Sequence, residues 1–204
     1  MKRQTVLESH IFLNEKRYRK IKGRAMDGGN KQRDYISKED ASSTTSSKEA
    51  VLMSCIIDAE EERDVVVIDI LNVFIRTQVE YEKDMAFIKI HGVLVDILVK
   101  IAPDVYKSHV TTIKKGVKQL LTQCQNAIYS TMVASLLYFC NTTKCLTEVL
   151  FKINPYNPCV ANKMIDGQQM TIFYHVENCK LNHSRINVND GMIKWLRQEY
   201  ESIF

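Results

Sequence analysis

None of the six cysteines (Cys55, Cys124, Cys140, Cys145, Cys159 and Cys179) forms a CxxC pair, which removes the usual signature of a structural zinc site. The opening stretch from Met1 to Lys22 is mostly polar and basic and lacks the apolar core of a secretory signal. These two absences set an expectation of free, reduced thiols in an intracellular protein, cytoplasmic or nuclear and not secreted. No apolar run approaches the roughly 18 residues that a membrane-crossing helix needs. A strong charge of one sign is missing too: 28 Lys and Arg face 24 Asp and Glu, a net +4. That balance permits a nucleic-acid partner without arguing for one alone. A chain of 204 residues suits one domain, or one large domain with a subdomain. His175, Cys179 and His183 recur every four residues, but their segment reads as a hairpin and not as a helix, so the spacing does not make a metal site.

Residues 1–50 carry a basic run, Lys16, Arg17, Arg19, Lys20, Lys22, Arg24, Lys31 and Arg33, with a turn at Gly28-Gly29-Asn30. The Ser/Thr-rich stretch from Ala41 to Lys48 reads as a loop or helix start. A helix is predicted over Lys48–Glu62, with Val51, Cys55 and Ile56 at roughly helical spacing. Asp64 to Ile70 is short, apolar and β-branched, and predicts a buried strand with Asp69 near its end. Met85 to Ile90 predicts another strand. Val117 to Phe151 has neither Gly nor Pro, and Leu120, Leu121, Cys124, Ile128, Met132, Leu136 and Phe139 step by three or four. That pattern predicts a mainly helical stretch, stopped by Pro155 and Pro158.

The most legible part is Cys159 to His183. Val160–Ile165 reads as a strand, Asp166-Gly167 as a two-residue hairpin turn, and Gln168–Val176 as the returning strand. Glu177-Asn178 reads as a second tip, because Asn tolerates positive φ, and Cys179–His183 as a third strand. Asn189 then has the character of a cap for a closing helix carrying Ile193, Leu196, Tyr200 and Ile203.

A lone acid ending a strand, then helices, then a hairpin with an acid at its tip is the plan of a polymerase palm. The residues carry the resemblance further. Lys20-Ile-Lys-Gly-Arg24 with Lys31-Gln-Arg-Asp34 resembles the basic fingers hairpin of copia-type retrotransposon reverse transcriptases. Asp64-Val-Val-Val-Ile-Asp69-Ile-Leu-Asn-Val-Phe74 resembles their first metal motif, D-[IV]-P-x-A-F. Ala127-Ile-Tyr-Ser-Thr131 resembles the A-L-Y-G-[LT] motif. Ile153-Asn-Pro-Tyr-Asn-Pro-Cys159 resembles the segment leading into the catalytic hairpin, and Tyr174-His-Val-Glu-Asn178 stands where the family writes Y-V-D-D or H-V-D-D. The five motifs keep the family's order from about Phe12 to Tyr200.

The resemblance implies an α+β fold with an antiparallel palm sheet backed by helices. Residues 1–63 would be fingers-like and 64–204 palm-like, with thumb and RNase H parts not included. It implies RNA-directed DNA polymerase ancestry, an RNA or DNA primer–template and deoxynucleotides as partners, and Mg²⁺ or Mn²⁺ as the ions of any remaining activity. Two such ions stabilise the attacking and leaving oxygens of nucleotidyl transfer. The catalytic positions would be Asp69, Glu177 and Asn178, with Asp69 and Glu177 as the metal carboxylates. Lys22, Arg24, Asn72, Val73 and Phe74 would face the nucleotide. Phe74 has a plain alternative as a core residue, and the basic residues one as a solvated loop.

This chain departs from the family at the metals. Glu177 and Asn178 stand where two aspartates are usual, which removes one negative charge and displaces another. A loss of ~4 kcal/mol of transition-state stabilisation would slow the chemistry about a thousandfold. Leu71 replaces a proline and Ser130 a glycine. The expectation is a degenerate, inactive reverse-transcriptase domain, against two alternatives: a non-catalytic nucleic-acid-binding module, or a translated relic without function.

Overall fold

The computed structural model describes residues 6–81, 85–113 and 116–201. In chain order the strands are β1 (Leu7–Glu15), β2 (Ile21–Asp27), β3 (Asp64–Asp69), β4 (Phe87–His91), β5 (Thr111–Thr112), β6 (Lys118–Gln123), β7 (Lys152–Ile153), β8 (Val160–Ile165), β9 (Gln168–His175) and β10 (Asn178–His183). The helices are α1 (Lys38–Ala41), α2 (Lys48–Glu60), α3 (Val73–Arg76), α4 (Val93–Ile101), α5 (Pro103–Tyr106), α6 (Ala134–Glu148) and α7 (Ile186–Glu201). The fold is therefore mixed α+β. It divides into two compact units that interleave along the chain, one of residues 1–41 and 78–134, the other of 42–77 and 135–204.

The first unit is built on a sheet in the order β2-β1-β4-β6-β5. All its pairs are antiparallel except the short parallel contact of β1 with β4. The helix predicted over Val117–Phe151 is wrong in its first half. Lys118–Gln123 is a strand paired with β4, with Leu120 buried and Leu121 exposed. Alternation of period two governs here, and the apparent helical step arose by adding loop residues 124–133 to the count. Helix begins only at Ala134.

The second unit carries a five-stranded antiparallel sheet, β3-β10-β9-β8-β7. The predicted meander is present: β8 and β9 join through Asp166 and Gly167, both at positive φ (51° and 80°), as a type I′ turn requires. One face packs on α6 and α7. Cys179, Leu181 and Ile172 are buried there, Phe139 stacks on Tyr174 at 6.0 Å between ring centroids, and Tyr138 meets Tyr200 at 6.0 Å. Burial raises the Cys179 thiol to about 12 and the Tyr174 phenol to about 12, so both stay neutral in a dry core.

Three expectations in this unit need correction. The strand over Asp64–Asp69 lies at the sheet edge, with Val65 and Val67 exposed on its outer face, so its apolar run does not mean two-sided burial. Helix α2 forms as predicted behind an Ser47 cap whose side chain accepts the Ala50 N–H, but it presents a polar stripe inward. Ser54 and Asp58 are buried, whereas Leu52, Met53 and Ile56 are exposed. Asn189 does not cap the closing helix. That helix starts at Ile186, and Asn189 is fully buried inside it, its amide donating to the backbone and carboxylate oxygens of Asp64. Leu196 and Tyr200 are in the core as expected, while Ile203 lies outside the described residues.

Candidate functional site

Antiparallel pairing of β3 with β10 sets the site. Asn178 stands directly opposite Asp69, Lys180 opposite Val67 and Asn182 opposite Val65. Opposed residues share a sheet face with Cβ atoms about 4.5–5.5 Å apart, so Asp69 and Asn178 project together from the corner where β3 ends. Both are exposed. Just beyond them the Ile70 N–H donates to the Glu177 carbonyl at 2.7 Å. The first-motif acid and the hairpin tip are thus neighbours, although their residues are more than a hundred positions apart in the chain.

The tip itself differs by one residue from the sequence reading. His175 pairs with Asn178, so the two-residue loop is Val176-Glu177 and Asn178 already belongs to β10. Positive φ falls on Val176 (49°) and not on Asn178. A valine there is strained, because its branched Cβ crowds the following carbonyl in the left-handed region. The register explains the choice. Ladder bonds on both sides of Asn178 fix it as extended, which leaves Val176 to make the reversal.

Beyond Asp69 the chain turns through Asn72, at φ 60°, into the single turn of α3. Val73 and Phe74 are buried, and Phe74 packs edge-on against Tyr138 at 6.3 Å and 85°, the place of a core phenylalanine. A cleft of about 380 Å³ opens beside Asp69, with Leu71, Arg76, Leu196, Arg197 and Tyr200 among its walls. The Arg76 guanidinium donates to the Tyr200 carbonyl. Lys22 and Arg24 belong to the other unit, two positions apart on β2, opposite Asn14 and Phe12.

The side chains that the register brings together at this corner are the Asp69 carboxylate and the Asn178 amide, and Glu177 is tied to it through its backbone carbonyl. Among the described residues no three His, Cys, Asp or Glu gather as metal ligands. Such a donor set does not fit a pair of divalent ions, each of which seeks hard, charged oxygen ligands.

A polar cluster on the same sheet face escaped the sequence reading. Lys180 Nζ lies 2.5 Å from the Asp58 carboxylate and 2.7 Å from Ser54 Oγ, and sits over the Phe173 ring at 5.4 Å. Asn182 donates to Ser54 and Asp58. Two signals were available: Ser54 and Asp58 one turn apart within an otherwise apolar helix, and Asn178, Lys180 and Asn182 alternating along β10.

No protein-family model matches this chain, and no curated protein matches it.

Proposed function

We propose that the unit of residues 42–77 and 135–204 is a degenerate palm of reverse-transcriptase descent, in which the ancestral nucleotidyl-transfer site has lost its second ion. One observation carries the reading: Asp69 faces Asn178 across β3 and β10, with the Glu177 carbonyl tied to the Ile70 N–H. A palm needs its two metal motifs adjacent in space, and the motif resemblance names these residues. With Glu177-Asn178 in place of two aspartates, the corner retains the layout and lacks the charge for two-ion catalysis.

A second reading, nucleic-acid binding without catalysis, is favoured by the β1–β2 loop. Lys16, Arg17, Arg19 and Lys20 surround Tyr18, which is 93% exposed. Cations that neutralise phosphates beside an aromatic platform suit single-stranded nucleic acid.

One experiment addresses both readings. The chain is titrated into a labelled primer–template at several salt concentrations, then supplied with deoxynucleotides and Mn²⁺. The expected outcome is binding that weakens with salt, a slope reduced by Arg17→Ala with Arg19→Ala, and no primer extension. Vigorous extension would overturn the degenerate-site reading, and salt-independent binding would overturn the phosphate-contact reading.

A further inference from the structure

Strand β3 is the outer strand of its sheet, and the ladder shows which of its backbone groups face outward. The Ile70 N–H bonds to the Glu177 carbonyl, and Asn178 pairs with His175 across the two-residue loop. Bonded and non-bonded pairs alternate along an antiparallel ladder. Ile68 and Ile70 therefore turn their N–H and C=O groups toward β10, and Val65, Val67 and Asp69 turn theirs to the free edge. Among the described residues no hydrogen bond reaches those outward groups. The strand has no proline, lysine or bulge along it, the usual devices that keep an edge from pairing. Val65 is 41% exposed and Val67 69%.

The cleft of about 380 Å³ runs beside this edge, on the sheet face of Ile68 and Ile70. Ile68 stands opposite the buried Cys179, so this is the face that carries α7. Ile68 and Ile70 form one apolar wall, Ile193 and Leu196 the other. One end of the cleft is closed, because the Arg76 guanidinium donates to the Tyr200 carbonyl and ties α3 to the last turn of α7. That end is also cationic. Arg197 lines it, is exposed, and has no ion pair among the described residues. Two guanidinium groups against the one carboxylate of Asp69 leave it positive.

These features ask for one kind of occupant. Outward N–H and C=O groups call for a further extended backbone. Apolar walls on one face call for apolar side chains at every second position of that backbone. A closed cationic end calls for a carboxylate where the backbone stops. We propose that the groove between β3 and α7 is a docking site for the C-terminal tail of a partner protein. The tail adds to β3 as a parallel strand, drops alternate apolar side chains into the cleft, and sets its terminal carboxylate against Arg76 and Arg197. The site needs no metal and uses neither Glu177 nor Asn178, so it stands apart from the degenerate-palm reading.

The test uses the full chain and a hexapeptide probe, Ser-Val-Thr-Ile-Thr-Leu, labelled at its N-terminus, with a free C-terminus, and followed by fluorescence anisotropy. Saturable binding is expected. Amidation of the C-terminus, or its extension by Gly-Gly, should weaken binding at least about tenfold, and Arg197→Gln, at an exposed position, by about tenfold. In a parallel pairing the amide of each cleft-facing residue points at β3. N-methylation of the probe's Ile should therefore abolish binding, whereas N-methylation of the Thr before it should leave binding nearly intact. No saturable binding up to millimolar probe, equal binding of the acid and the amide, or equal loss from the two N-methyl probes would each overturn the proposal. A dimer in sedimentation that Val67→Pro returns to monomer would overturn it as well, because a second copy of the chain would then hold the edge.

Discussion

Val176 and Ser130 occupy backbone conformations for which neither is suited, at φ 49° and 72°. The left-handed φ of Ser130 is one that glycine adopts at no steric cost. Gly29 packs so closely that a Cβ on it would collide with the Ser130 carbonyl. This position was read from sequence as helix, yet it is a turn, because a motif of five residues does not state its own backbone conformation. Val176 is the more costly case, since a β-branched residue in this region loses about 1–2 kcal/mol. Val176→Gly should raise the unfolding free energy by about 1 kcal/mol, after the extra chain entropy of glycine is deducted. Urea denaturation measures it, and a loss of stability would show that the valine side chain contributes packing that outweighs the strain.

Among the elements, α2 gives the sharpest test of packing. Its inward side is held by the Asp58–Lys180 pair, with side chains 6% and 14% exposed. Removing one partner of such a pair strands the other charge in a dry place. Asp58→Ala is expected to cost about 3 kcal/mol, and Asp58→Ala with Lys180→Met clearly less. Equal losses in the two variants would mean that the pair does not act as a unit. The helix itself was readable from the helical spacing of its apolar residues. Its orientation was not, because Val51, Cys55 and Ile56 suggested an apolar inner face while the sheet offers Lys180 and Asn182. The β8–β10 meander was readable because turn residues and alternation agree. The tip was misplaced by one residue because Asn tolerance of positive φ is a preference, overruled here by ladder register on both sides of Asn178.

At the scale of the whole molecule, two units alternate along the chain, each with its own sheet. Such interleaving depends on pairing between distant residues, such as Leu7 with Ile88 and Asp69 with Asn178, which local pattern does not reveal. The buried thiols and phenols give the molecule a pH limit. Cys179 and Cys145 are raised to about 12 and Cys159 to about 11, each chiefly by burial. The unfolded chain releases these protons near the ordinary thiol value of 9.0, so above it the folded state holds more protons and stability falls as pH rises. The contribution is complete below pH 9 and is lost between 9 and about 12. Denaturation midpoints should therefore drop across that window, and a flat profile would show that these groups are not buried.

The central claim concerns the corner where Asp69 meets Asn178, and calorimetric titration of Mn²⁺ tests it most directly. The chain as it stands is compared with the Glu177→Asp, Asn178→Asp double variant. A short carboxylate at 178, opposite Asp69, with another at 177 in the tip beside it, should supply the charge that ion binding needs. The account predicts weak binding by the original chain and binding at least about tenfold tighter by the double variant, lost again on Asp69→Ala. Equal Mn²⁺ affinity for the original and the double variant would contradict it, because the hairpin tip and Asp69 would then not form a common site.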